Sequence, residues 1–147
     1  MDLRDSLNAF YYSNALCDLR MMNKKFSSQN ITYNSLLYLE LINSMQGKCT
    51  ASKLAEMLFI SKPGVTLKLN ELISQGLIKK IPNPEDHRQN LLYVNEDAVP
   101  QYRVYRQQDD LAVKTITEKF SKEDIEKFCA MLQIITDINY NETNDER

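Results

Sequence analysis

Apolar residues recur along this chain at helical spacing, interrupted once by two short runs of a different period. Leu3, Leu7, Phe10, Tyr11, Cys17 and Met21 stand mostly three, four or seven apart, which predicts an amphipathic helix over residues 3–25. Ser27-Ser28-Gln29-Asn30 breaks it. Thr32 is placed to cap a second helix with Leu37, Tyr38, Leu41, Ile42 and Met45 on its inner face, and Gly47 suits its stop. Thr50 is the cap of a third, short helix burying Leu54, Met57 and Leu58. A tight connection at Phe59-Ile60 leads to Ser61, the cap of a fourth helix. Pro63 is tolerated in its first turn, where the amides have no helical acceptor. Val65, Leu69, Leu72 and Ile73 form its inner stripe and Gly76 ends it.

The period then changes. Leu77–Ile81 and Asn90–Val94 read as two short strands joined by the polar loop Pro82–Gln89. A long helix is expected from about Asp97 to Phe120. Ser121-Lys122-Glu123-Asp124 is a capping-box pattern opening a last helix with Ile125, Phe128, Leu132 and Ile135 on one face. Residues 143–147 form a polar tail.

Composition narrows the class. The chain has 147 residues, 43% of them apolar and 26% charged, which suits one folded unit and excludes wholesale disorder. Three glycines are few for a phosphate cradle or an all-β meander, so the fold class expected is mainly α, with a small β element. No apolar run approaches the roughly 18 residues needed to cross a bilayer, and Met1-Asp2-Leu3-Arg4-Asp5 lacks the layout of a secretory signal. Cys17, Cys49 and Cys129 fit neither a disulfide framework nor a metal site, so a cytoplasmic chain with reduced thiols is expected.

Charge is segregated. Between Lys48 and Val94 seven bases face four acids, a net +3, which leaves eleven bases and sixteen acids, −5, on the flanks. A basic centre in an acidic chain suits contact with a polyanion.

A short helix, a tight turn, a second helix and a two-stranded ribbon with a basic tip make a winged helix-turn-helix. In such a unit the second helix offers its outer face to the major groove of a duplex. With Val65, Leu69 and Leu72 inward, Lys62, Gly64, Thr66, Leu67 and Lys68 stand outward or at the border. Arg88 at the ribbon tip can enter a narrow minor groove. Thr50, Ser52, Ser61, His87 and Gln89 complete the expected DNA-binding set, and Asp86 is expected to brace the wing by orienting Arg88.

The stretch Thr50–Val94 resembles the MarR family of transcription regulators, most specifically in Asp86-His87-Arg88 following Gly76-Leu77-Ile78. The resemblance implies a homodimer on a pseudo-palindromic operator. Residues 1–30 and 97–142 would be dimerisation helices and 31–96 the DNA-binding lobe. It implies a repressor whose affinity falls when a small aromatic effector binds, with Tyr11, Tyr33 and Tyr38 as candidates for the pocket wall; the plainer reading of these tyrosines is packing. The chain departs from the family at Leu67, where Arg is usual, at Lys68, where an apolar residue is usual, and at Glu71, where bases are common. Guanine reading by an Arg of this helix is thus excluded, and binding should rest more on shape and wing contacts.

Catalysis finds no motif here: there is no G-x-S-x-G, phosphate loop or H-E-x-x-H, and His87 is the lone imidazole. No enzyme activity, metal or cofactor is expected. Two alternatives stay open: a winged helix docking another protein, favoured by Leu67 and Glu71, and a DNA binder with no effector. For Cys17, no flanking cation argues for a depressed thiol pKa, which leaves peroxide sensing a minor reading.

Overall fold

The computed structural model describes residues 2–24, 31–98 and 102–142, with side chains described through 97 and over 108–140. The expected break at Ser27–Asn30 and the polar tail 143–147 lie outside the described residues. The chain divides into two compact units, Met1–Tyr102 and Arg103–Arg147. The first carries α1 (Leu3–Met22), α2 (Tyr33–Ser44), α3 (Ala51–Leu58), α4 (Lys62–Ser74), strands β1 (Ile78–Pro82) and β2 (Asn90–Val94), and a single 3-10 turn at Glu96–Ala98. The second holds α5, which begins at Tyr102 and runs to Lys119, and α6 (Lys122–Glu142). No helix among the described residues is long and apolar enough to cross a membrane.

Side-chain capping starts α2, α3 and α4 where the sequence places it, and Asp2 adds an unexpected cap to α1. Asp2, Thr32, Thr50 and Ser61 each accept an amide of the first turn, from Asp5, Ser35, Lys53 and Gly64 respectively. At α6 the capping box closes in both directions. The Asp124 amide donates to Ser121 Oγ at 3.2 Å, and the Ser121 amide donates to Asp124 Oδ2 at 3.3 Å.

The core of the first unit is a set of aliphatic residues drawn from every element after α1. Ile31, Leu36, Leu39, Ile42, Leu54, Val65, Leu69, Leu72, Leu77, Ile78 and Leu92 are buried. α4 packs on α3 and on β1, and α2 packs on β2. The ribbon is antiparallel, in the register Ile78 opposite Val94 through Pro82 opposite Asn90. The Leu92 amide also donates to the Cys49 carbonyl at 2.9 Å, so the segment before α3 lies along the outer edge of β2.

Several boundaries and faces differ from expectation. α1 ends at Met22 and buries none of its residues. The inner face of α2 is Tyr33, Ser35, Leu36, Leu39 and Ile42, while Leu37 is 45% exposed. Leucines at 36, 37, 39 and 41 supply two overlapping stripes at helical spacing, and only packing against neighbours selects between them. In α3, Met57 and Leu58 are half-buried and Ala55 is buried beside Leu54. β1 is displaced by one residue, and the wing loop shortens to Asn83–Gln89. The helix expected from Asp97 begins at Tyr102 instead. On α6, Ile125 and Ile135 are half-buried, whereas Phe128 and Leu132 are exposed.

Glycine matters at two junctions. Gly76, with φ +71°, closes α4: its amide donates to the Ile73 carbonyl and that of Leu77 to the Leu72 carbonyl, both at 2.9 Å. Gly47, with φ +79°, follows α2, and a methyl group there would come within 3.0 Å of the Tyr93 ring. Gly76→Ala meets only backbone strain, since nothing lies within 4 Å, and should cost about 1 kcal/mol. Gly47→Ala adds a clash to the same strain and should cost about 2–3 kcal/mol, with urea unfolding of the two variants as the measurement.

Candidate nucleic-acid interface

The helix-turn-helix is built by two backbone devices. Phe59 adopts left-handed backbone, φ 53°, and closes α3 as Gly76 closes α4: its amide donates to Glu56 and that of Ile60 to Ala55. Ser61 then restarts the chain as the cap of α4, holding the Gly64 amide at 3.2 Å. Gly64 leaves little room around that cap, because a methyl group there would lie 3.3 Å from Ser61 Oγ.

Burial of Val65, Leu69 and Leu72 turns the opposite stripe of α4 outward. At about 100° per residue that stripe is Pro63, Leu67, Asn70 and Ser74, and all four are exposed. Leu67 is the extreme case at 76% exposed. Lys62, Gly64 and Thr66 are exposed beside it, and Ser61 sits at its head. Asn70 was absent from the residues singled out by sequence. Projecting the inner stripe through half a turn places it opposite, so the signal was present.

Lys68 is not part of this surface. Its ammonium donates to Ser35 Oγ of α2 at 2.9 Å and to Glu71 Oε1 at 2.9 Å, and it lies 5.9 Å from the centre of the Tyr38 ring. The side chain is only 15% exposed. The structure places Lys68, expected outward or at the border, at the seam between α2 and α4, where its ammonium is already engaged. Thr50 is likewise buried as the cap of α3, and Ser52 is half-buried.

The wing tip is ordered by side chains that bond to backbone. Asn83 Oδ1 accepts the Glu85 amide, and the Asn83 amide donates to the Gln89 carbonyl, each at 3.0 Å. Asp86 Oδ1 accepts the Arg88 amide at 3.0 Å. Asp86 thus braces the turn, though not by the expected pairing with the guanidinium, since no Asp86–Arg88 ion pair occurs among the described residues. His87, Arg88 and Gln89 are exposed, and so are Lys79 and Lys80 on β1. The lobe therefore presents Lys62 at a capped helix start together with a free cationic tip.

The three candidate tyrosines do not meet. Tyr11 lines a concavity of about 540 Å³ with Leu3, Leu7 and Asn8, and Tyr38 lines another of about 410 Å³ with Leu37, Leu41 and Leu58. Tyr33 is buried and its hydroxyl donates to Asp18 of α1. In the second unit Ile116, Phe120, Ile125, Phe128 and Met131 line an apolar cavity of about 360 Å³. No group of three or more acidic, His or Cys side chains among the described residues could hold a metal.

Residues 29–89 match the sequence model of the MarR family. The chain is 26% identical over 110 residues to an uncharacterised HTH-type transcriptional regulator, YybA, of Bacillus subtilis, covering 75% of this chain and 73% of that one. In fold it is similar to FabT of Streptococcus pneumoniae, a structure solved in complex with DNA, with TM-score 0.65 and 17% identity over 95% of this chain and 96% of that one. It is also similar to a mutant of MepR from a multidrug-resistant S. aureus clinical isolate, with TM-score 0.64 and 20% identity over 87% of this chain and 95% of that one. These likenesses establish the fold as that of the MarR winged helix.

The seating of the segment before α3 can be checked in the free protein. Cys49 is fully buried beneath β2, and burial raises its thiol pKa from 9.0 to about 11, slightly opposed by Lys53. A folded pKa above the unfolded one gives a stability contribution that is complete below pH 9 and lost between 9 and 11. In a Cys17→Ser/Cys129→Ser background, the remaining thiol should resist a disulfide reagent at pH 8 until the protein is unfolded by urea.

Proposed function

We propose that this chain is a MarR-family transcription regulator, a reading supported by the match over residues 29–89 and by the fold, and that it acts as a homodimer on a pseudo-palindromic DNA operator. The outward stripe of α4 enters the major groove, and Arg88 enters the flanking minor groove. The observation that carries this reading is that the capped, exposed start of α4 and the free cationic wing tip belong to one lobe. The neighbour FabT was solved with DNA, which supports the same use here.

Open apolar surface supports the dimer. α1 exposes Leu3, Phe10, Tyr12, Leu16, Leu19 and Met22, and α6 exposes Phe128, Met131, Leu132, Ile134 and Ile138. Apolar exposure of this extent is rarely left to water in a folded chain. On this reading the dimer represses by occupying the operator, and a small effector lowers its affinity. The effector step rests on the family resemblance alone.

Counterion release supplies the test. Each phosphate neutralised contributes about 0.9 to the slope of log K against log salt. Arg88→Ala and Lys62→Ala should each flatten that slope by about one, on specific and bulk DNA alike. Lys68→Gln should leave it unchanged, because that ammonium bonds to Ser35 and Glu71. Gel-shift titrations at several salt concentrations read all three. A protein indifferent to DNA at low salt would favour the protein-docking alternative that exposed Leu67 allows.

A further inference from the structure

The outward stripe of α4 has an uncommon chemistry for a helix that reads DNA. Its exposed members are Pro63, Leu67, Asn70 and Ser74, and it carries no cation. The helix has two lysines. Lys62 stands at its first position, where a phosphate is the natural partner of a helix start. Lys68 is held by Ser35 and Glu71 inside the lobe. The Ser74 hydroxyl donates back to the Glu71 carbonyl at 2.7 Å. Beyond the first-turn Pro63 and the Thr66 hydroxyl at the stripe's border, what remains free to meet base edges is the apolar side chain of Leu67 and the carboxamide of Asn70.

These two groups have distinct partners in the major groove. Guanine presents two acceptors, N7 and O6, which suit a forked cation, and this stripe has none to offer. Thymine presents a methyl group, which suits an apolar contact. Adenine presents an acceptor at N7 and a donor at N6, which suit a carboxamide. Leu67 and Asn70 are three residues apart on one face, about 4.5 Å along the axis, so they can address neighbouring base pairs. Leu67 leaves 76% of its surface in water, and no element of its own lobe covers it. A thymine methyl would remove that apolar surface from water at a site whose surroundings favour a polyanion.

Resting on the reading of this lobe as a major-groove binder, we infer that α4 reads A·T pairs. Leu67 contacts a thymine methyl and Asn70 makes a bidentate contact to a neighbouring adenine. Specificity at the centre of each half-site thus comes from a methyl group and a carboxamide. The cations at Lys62 and Arg88 supply affinity to the backbone and the minor groove.

The test starts from sites selected by the full-length wild-type protein in a random duplex pool. Each thymine of the selected half-site is then replaced by uracil, which removes the methyl group and keeps the pairing. Each adenine is replaced by 7-deazaadenine, which removes the N7 acceptor. One thymine per half-site should lose about fourfold in affinity per methyl removed. One adjacent adenine should lose about fivefold or more on loss of N7. Leu67→Ala should bind thymine and uracil sites equally, and Asn70→Ala should ignore the 7-deaza change. Both positions are exposed, so circular dichroism should show native helix content in each variant. A pool yielding no enriched sequence overturns the DNA reading itself. Enriched sites with G·C pairs at their centre, or with affinity indifferent to uracil in the wild type, leave that reading standing and overturn the assignment of Leu67 and Asn70.

Discussion

Val65, Leu69 and Leu72 bury one stripe of α4 completely, and this seam fixes the direction of every other side chain on the helix. Each such aliphatic side chain contributes about 1.5–3 kcal/mol when removed from water. Turning α4 by a single residue would expose this set and bury Thr66 and Asn70, polar groups that would then need partners. The outward stripe is therefore a by-product of the inward one. Nothing about Leu67 or Asn70 stabilises their exposure; they are presented because the opposite face cannot be. The same seam holds α4 on α3 and on β1, so the outward stripe and the root of the wing share one support.

Lys68 shows how a local rule of charge reading yields to packing. A cation drawn into a protein interior needs compensation for its lost water. Ser35, Glu71 and the face of the Tyr38 ring supply it. Ser35 is fully buried, and its hydroxyl lies 3.0 Å from that of Thr32, the cap of α2. The start of α2 and the middle of α4 are thereby joined by a chain of polar contacts at the half-buried edge of the aliphatic core. The lysine at position 68 and the acid at 71 thus compensate each other as an ion pair.

Much of the fold was legible because its punctuation is local. A hydroxyl or carboxylate that caps a helix acts within three residues of itself, so Thr32, Thr50, Ser61 and the Ser121–Asp124 pair could be read without knowing what surrounds them. The inner stripe of α4 was equally clear, since it has one apolar face. On α2 the leucines satisfy two faces, and the decision belongs to α4 and β2, which no window of ten residues contains. The interface shows the same division. Lys62, Thr66, Leu67 and the wing tip could be placed from spacing, whereas the engagement of Lys68 depends on Ser35, 33 residues away in sequence. Asp86 was read as a brace correctly in kind, yet its carboxylate takes the Arg88 amide and leaves the guanidinium free.

None of the twenty residues of α1 is fully buried within the single chain, and this has a thermodynamic consequence. Most helix stability in proteins comes from packing an apolar face rather than from the helix alone. Within its unit, α1 is held by contacts with α2 that include the bond from Tyr33 to Asp18. Its exposed apolar side chains include Leu3, Phe10, Leu16 and Leu19, which gain stability only when another surface covers them. On the dimer reading, association and the folding of α1 are then one equilibrium, and the stability of the helix rises with protein concentration. Pairing two lobes also makes the second half-site contact intramolecular. A recognition helix with few charges of its own can bind a duplex tightly by that route, which is how the thin basic patch of a single lobe and the function proposed for it are reconciled.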